Sequence, residues 1–215
     1  MDDVFSHFDL VLRAFLLTLE LLVVSGIISL VFGTILAAFR VGPIPVLSWA
    51  GTVYVGLFRN TPLLVIFIFV FFGLPQLEIN MPFFVKGCVA LSVYTSAFVC
   101  EAIRSGINSI PLGQAEAARA VGLPFGQTMS QVVLPQAVRA VVPPLANVMI
   151  ALAKNTSIAA AFGLMEATAR MRFFTNNNVA DRTWIFLTFA IGYIVIVELI
   201  SGGAFGLERR WKVAR

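Results

Sequence analysis

The sequence predicts an all-α polytopic membrane protein: five transmembrane helices and one cytoplasmic helix–turn–helix, in a single domain over residues 1–215. Three observations carry that prediction. Hydrophobic residues make up 59% of the chain and charged residues 12%, where a soluble domain carries about 25% charged. The apolar residues gather in runs of the length that crosses a bilayer, about 20 residues. None of these runs alternates apolar and polar positions as barrel strands do, which leaves helices as the way to satisfy backbone groups in lipid.

The first span is expected over Ala14–Phe39, ended by Arg40 and the breaker Gly42-Pro43-Ile44-Pro45. Within it Ser25, Ser29, Gly33 and Ala37 recur every four residues, a small-residue stripe that permits close helix–helix approach in lipid. The second span, Val53–Leu74, is entered through the Arg59-Asn60-Thr61-Pro62 turn and closed by Gly73-Leu74-Pro75. The third covers Pro82–Ile103, the fourth Gln136–Gly163 and the fifth Trp184–Leu207, where Gly202 and Gly206 repeat the small-residue spacing more weakly. Pro143-Pro144 predicts a bend in the fourth, since consecutive prolines delete backbone donors and crowd the preceding turn. Asn176-Asn177-Asn178 reads as a solvated outer loop.

Placement of basic residues sets the orientation. Arg40, Arg104, Arg119 and Arg139 fall toward one side, joined after the fifth span by Arg209, Arg210, Lys212 and Arg215. The N-terminus is then outside and the C-terminus cytoplasmic. The loop 75–82 has no basic residue, whereas 164–183 mixes Arg170, Arg172 and Arg182 with Glu166 and Asp181. The acidic start, with Asp2, Asp3 and Asp9, is the wrong charge for a secretory leader. Cys88 and Cys100 read as small buried apolar residues, and the single His7 makes no metal site. The net charge of +4 has no aromatic-interleaved basic face behind it, so nucleic acid is not an expected partner.

Between the third and fourth spans lies a polar, Ala-rich segment, residues 107–135. Pro111 opens a helix over Gln114–Val121, Gly122 stands where a left-handed cap belongs, and Leu123-Pro124 stops it. A second short helix follows from Phe125 to Val133, and Pro135 suits the first turn of the fourth span. Ala117, Ala118 and Val121 are expected as an exposed apolar knob fit for a groove in a partner.

The pattern Glu116-Ala117-Ala118, then Gly122, then an aliphatic at 132 and Leu134-Pro135 resembles the EAA loop of the membrane subunits of ABC importers. The resemblance continues along the chain. Arg59-Asn60-Thr61-Pro62-Leu63-Leu64 is similar to the RGTPLL segment of polar amino-acid permeases, with Asn60 where Gly is usual. Phe98 to Ile107 resembles the segment Tyr-x-x-Glu-x-x-Arg-x-Gly-Ile, with Phe98 replacing Tyr and Glu101 and Arg104 in register. Lys154-Asn155-Thr156-Ser157 resembles Lys-Asp-Thr-Ser, with Asn155 replacing Asp. The glutamate-uptake permeases of actinobacteria share these variants. The resemblance implies a type I ABC permease fold in a bacterial cell membrane and a polar amino acid, glutamate foremost or glutamine, as cargo. It also implies a second, homologous permease subunit, two ATPases that hold ATP and Mg, and an extracytoplasmic binding protein. No cofactor is expected on this chain. Its implied docking residues are Glu116, Ala117, Ala118, Val121, Gly122, Leu134 and Pro135.

Charges within the spans mark candidate pathway residues, because they are costly in lipid. They are Glu20 and Lys154, with Asn155, Thr156, Ser157 and Glu101 beside them in the motifs; Glu198 lies in the fifth span. At helical rise Glu20 is about 9 Å and Lys154 about 13 Å from the outer ends of their spans. Two readings stand: a structural Glu20–Lys154 ion pair, or a place for Lys154 beside the cargo, where the neutral Asn155 suits an anion. A secondary carrier needs an internal repeat that is not found, and an enzyme needs a nucleophile–base or ligand cluster. No Gly-Lys-Ser/Thr phosphate loop exists on the chain. A channel remains open on composition, and the EAA-like loop distinguishes it, since a channel needs no ATPase dock.

Overall fold

The computed structural model describes residues 7–211; Asp2, Asp3, Lys212 and Arg215 lie outside the described residues. Eight helical elements follow in order among them: α1 Phe8–Val41, α2 Pro45–Asn60, α3 Leu63–Gln76, α4 Phe83–Asn108, α5 Leu112–Ala120, α6 Phe125–Phe162, α7 Ala167–Asn177 and α8 Arg182–Trp211. Four of them, α1, α4, α6 and α8, are long and apolar enough to cross a membrane, and α2 with α3 makes a fifth, broken span. The five-span reading holds with one change of shape. The second span is two helices meeting at 101° across Thr61-Pro62. Pro62 drives its neighbour out of helical backbone, and Thr61 is extended at φ −94°, ψ 128°. Packing then fixes the corner: Tyr54 of α2 donates to Val93 O of α4 at 2.8 Å and meets Ser96 Oγ at 2.9 Å, tying α2 across α4.

The seam between α1 and α4 forms the centre of the molecule. The predicted small-residue stripe lies in it, with Ser25, Ser29, Gly33 and Ala37 all buried. A β-carbon placed on Gly33 would stand 2.6 Å from Val99 Cβ and 2.8 Å from Ser96 O, so only glycine permits this approach. Ser29 Oγ donates to Ser25 O at 2.6 Å, satisfying its hydroxyl within the helix. Above the seam Leu21, Leu22, Phe67, Phe71, Leu91, Leu152 and Phe162 close a core shared by α1, α3, α4 and α6.

Two unexpected features shape the end of the molecule away from the 107–135 loop. A wide, π-type turn over Phe69–Gly73 interrupts α3, and the buried Lys86 of α4 brings Nζ within 3.5 Å of Phe71 O. Its ammonium also lies 5.7 Å from the ring centres of Phe71 and Phe83, an aromatic setting favourable to a cation. The segment after the fourth span is a short helix, α7, with Asn176 and Asn177 in its last turn. Glu166, fully buried, caps it by accepting from Thr168 N and Ala169 N at 3.0 and 2.9 Å, and from Tyr193 Oη of α8 at 2.7 Å.

Candidate functional site

At the loop end, α5 is capped as its sequence demands. Leu123 N donates to Ala118 O at 3.1 Å and Gly122 N to Arg119 O at 3.0 Å, the paired bonds of a Schellman turn. Gly122 sits at φ +90° with nothing within 4 Å of a notional β-carbon, so backbone conformation alone calls for glycine there. The apolar knob differs from expectation. Ala118 is buried, and its helix packs against the turn over Thr128–Val133, whose end residues Thr128 and Val133 are buried too. Glu116 and Ala117 remain exposed. The prominent apolar side chains are Leu112, Val121 and Phe125, each at least three-quarters exposed. Leu112 and Phe125 flank the motif; Phe125 is the expected first residue of the second short helix, whereas Leu112 precedes the expected start of the first at Gln114 and is its first residue in the structure.

The second short helix is also not separate. Phe125 to Phe162 is one 38-residue span with a π-type turn over Thr128–Val133 and a 3-10 turn over Thr156–Phe162. Leu134 and Pro135 lie at its exposed surface. Pro135 clashes with an ordinary α-turn before it; the widened turn that ends at Val133 gives its ring room. The helix runs through Pro143 and Pro144 without a break.

The pathway candidates separate into five places. Asn155 lines a cavity of about 350 Å³ between α4 and α6, with Tyr94, Thr95, Phe98 and Asn147. Thr95 is 2% exposed and its hydroxyl has no hydrogen-bond partner among the described residues. Lys154, one residue earlier, faces another cavity of about 270 Å³ with Ser157, Thr168 and Tyr193 over Phe186 and Phe189. Thr156 is fully buried and donates back to Ala153 O at 2.7 Å; its hydroxyl belongs to the core.

Glu20 is exposed on the face of α1 opposite the buried stripe, and among the described residues no ion pair joins it to Lys154. Helix length explains its exposure. With 34 residues, α1 outruns the membrane; Glu20 stands about 30 Å along the helix from Arg40, which is the thickness of the hydrocarbon core. With Arg40 at one boundary of the hydrocarbon core, Glu20 falls at the other, where a carboxylate meets water without an ion pair.

Glu101 is the hub of a charge cluster at the loop end. It pairs with Arg40 of α1, with Arg104 one turn on at 2.9 Å, and with Arg59 of α2 at 3.6 Å. Three helix ends thus meet on one carboxylate. A further polar cavity of about 350 Å³ opens beside it, lined by Arg40, Thr52, Arg59, Asn60, Phe98 and Glu101 among others.

Comparison with known proteins decides the family. Residues 29–213 match the model of the binding-protein-dependent transport system inner membrane component. The chain belongs to that family. This permease is 40% identical over 216 residues to the glutamate transport system permease protein GluC of Corynebacterium glutamicum, covering 95% of each chain. It is 38% identical to the probable glutamine ABC transporter permease protein GlnM of Bacillus subtilis, over 96% of this chain and 95% of that one. A crystal structure of an amino acid ABC transporter with histidines superposes at TM-score 0.89 with 28% identity, covering 97% of each chain. The methionine transporter MetNI superposes at TM-score 0.74 with 21% identity, a likeness of fold. The permease is thus a multi-pass membrane protein with the type I ABC permease fold, and it works with a binding protein and an ATPase on other chains.

Proposed function

We propose that this permease carries glutamate, driven by ATP hydrolysed on partner ATPases. Its nearly full-length likeness to a glutamate transport permease, at 40% identity, is the observation that carries the reading. The cavity between α4 and α6 is the candidate cargo site: it lies within the membrane span, it has amide and hydroxyl groups from Asn147, Asn155, Tyr94 and Thr95, and Thr95 offers an unpaired buried hydroxyl. A second reading, glutamine, is favoured by one observation. None of the residues lining that cavity is charged, and a neutral side-chain amide suits a neutral lining.

In this reading the α5 loop docks on the ATPase through Glu116, Ala117 and Val121, with Leu112 and Phe125 added. Ala118, Gly122, Leu134 and Pro135 hold the shape of the loop. The N-terminus lies outside and the C-terminus in the cytoplasm, with Arg209 and Arg210 in the last turn of α8 on the inner side. The complex holds this permease, a homologous but non-identical second permease subunit, two ATPases that bind ATP and Mg, and an extracytoplasmic binding protein. Reconstitution with those partners in proteoliposomes, using labelled glutamate, glutamine, arginine and methionine, tests the reading. Uptake of glutamate above the other three is expected; preference for glutamine would replace the first reading by the second.

A further inference from the structure

Phe98 is a wall of two cavities. Its ring borders the neutral cavity between α4 and α6 and also the polar cavity at the loop end, where Arg59 and Glu101 stand. On the polar side the guanidinium of Arg59 lies 5.5 Å from the centre of that ring. One aromatic side chain therefore separates a compartment without charge from one with an excess of positive charge.

The charge excess follows from the pairing. Glu101 is the carboxylate for three guanidiniums, those of Arg40, Arg104 and Arg59, which leaves the cluster at a formal +2. The three are not held alike. Arg40 pairs through Oε1 and Arg104 through Oε2 at 2.9 Å, and these take the two oxygens. Arg59 is left with a 3.6 Å approach to Oε2 and a side chain 44% exposed, against 13% for Arg40. The neighbouring Asn60 does not compete for a ligand there, because its Nδ2 donates back to Gly56 O at 2.7 Å. Arg59 is thus the donor in this cavity with unspent capacity, and a guanidinium presents a planar fork of donors matched to a carboxylate.

We propose that Arg59 is a second anion-binding station on the cargo route, on the loop side of Phe98, which takes a carboxylate of the amino acid as it leaves the α4–α6 cavity. The inference rests on the reading of that cavity as the cargo site. It assigns a division of labour: the neutral cavity accepts the polar amino acid through amides and hydroxyls, and selection for a second negative charge comes one step later, at Arg59. Phe98 partitions the steps, and its stacking on Arg59 gives the ring a resting place that an arriving carboxylate competes for.

Two measurements on the assembled complex test this. In proteoliposomes, Arg59→Gln is expected to lower glutamate uptake about tenfold more than glutamine uptake, the worth of one charge-assisted hydrogen bond, while Arg59→Lys keeps part of the preference. Equal losses for the two amino acids would overturn the station. The second measurement is independent of cargo. Asn60→Cys places a thiol in the polar cavity, while the native Cys88 and Cys100 are buried. In purified complex it should react faster with an anionic sulfonate-bearing thiosulfonate reagent than with a cationic ammonium-bearing one, and Arg59→Gln should abolish that preference. A rate ratio near one in the Asn60→Cys protein overturns the proposal even where Arg59→Gln fails to assemble. If the unmodified complex moves glutamine and not glutamate while the labelling preference holds, the cargo reading fails and the anion station stands.

Discussion

Replacing Gly33 by alanine tests how tightly α1 and α4 must meet. A β-carbon at that position would lie 2.6 Å from Val99 Cβ and Cγ1 and 2.8 Å from Ser96 O, whereas ordinary contact begins near 3.4 Å. Val99 is fully buried and Ser96 O is backbone, so neither can swing aside, and the helices must part by most of an ångström. Overpacking of this kind costs about 1–3 kcal/mol, offset by up to about 1 kcal/mol of helix propensity gained on leaving glycine. The net expectation is a loss of about 1–2 kcal/mol, or a midpoint lowered by about 2–8 °C for a chain of this size. Gly202→Ala in α8 is the internal control, because nothing lies within 4 Å of its notional β-carbon. Thermal unfolding of the detergent-purified permease, followed by near-ultraviolet circular dichroism, measures both. A Gly33→Ala protein as stable as the Gly202→Ala protein would refute the argument that this seam is held at glycine distance.

Further outcomes follow from the same structure. Gly122→Val should reduce copurification with the ATPase while leaving membrane insertion intact, because a β-branched residue at φ +90° is strained whatever the space around it; Gly122→Asn, which tolerates that backbone, should retain most of the binding. Glu20→Gln should leave assembly and transport within twofold of the parent, measured by uptake, since Glu20 has no ion pair among the described residues. Lys154→Met should weaken uptake without rescue by Glu20→Gln; recovery in the double mutant would restore the ion-pair reading. Arg209→Cys should resist membrane-impermeant thiol reagents applied outside intact cells, and rapid labelling would reverse the orientation.

Much of this architecture is legible because lipid simplifies the code. A run of about 20 apolar residues has few other uses, so four spans fell near their expected places. The cap at Gly122 was legible because its cause is local: a short Ala-rich helix must stop, and glycine stops it. What escaped was tertiary. Arg59-Asn60-Thr61-Pro62 signals a turn, but the 101° corner depends on Tyr54 reaching Val93 and Ser96, residues about forty positions away. Ala118 reads as exposed because its own helix is polar; the packing of that helix on the Thr128–Val133 turn accompanies its burial. Lys86 escaped notice as a buried charge because it stands one turn inside α4, beside a loop that reads as outer and has no basic residue. The meeting of Arg59 with Phe98 has no local signature at all.

The unbroken course of α6 has a mechanical consequence. One end of this rod carries Phe125 into the exposed loop, and further along it carries Asn147 and Asn155 into the membrane cavity. Its 38 residues reach about 57 Å at helical rise. A rod of that kind acts like a shaft: an axial turn applied at the loop is delivered to both asparagines, in phase, without a hinge to absorb it. The compliant points are the wide turn at Thr128–Val133 and the bonds missing at Pro143 and Pro144. Both lie between the loop and the cavity, so the helix can flex sideways there while still passing on rotation.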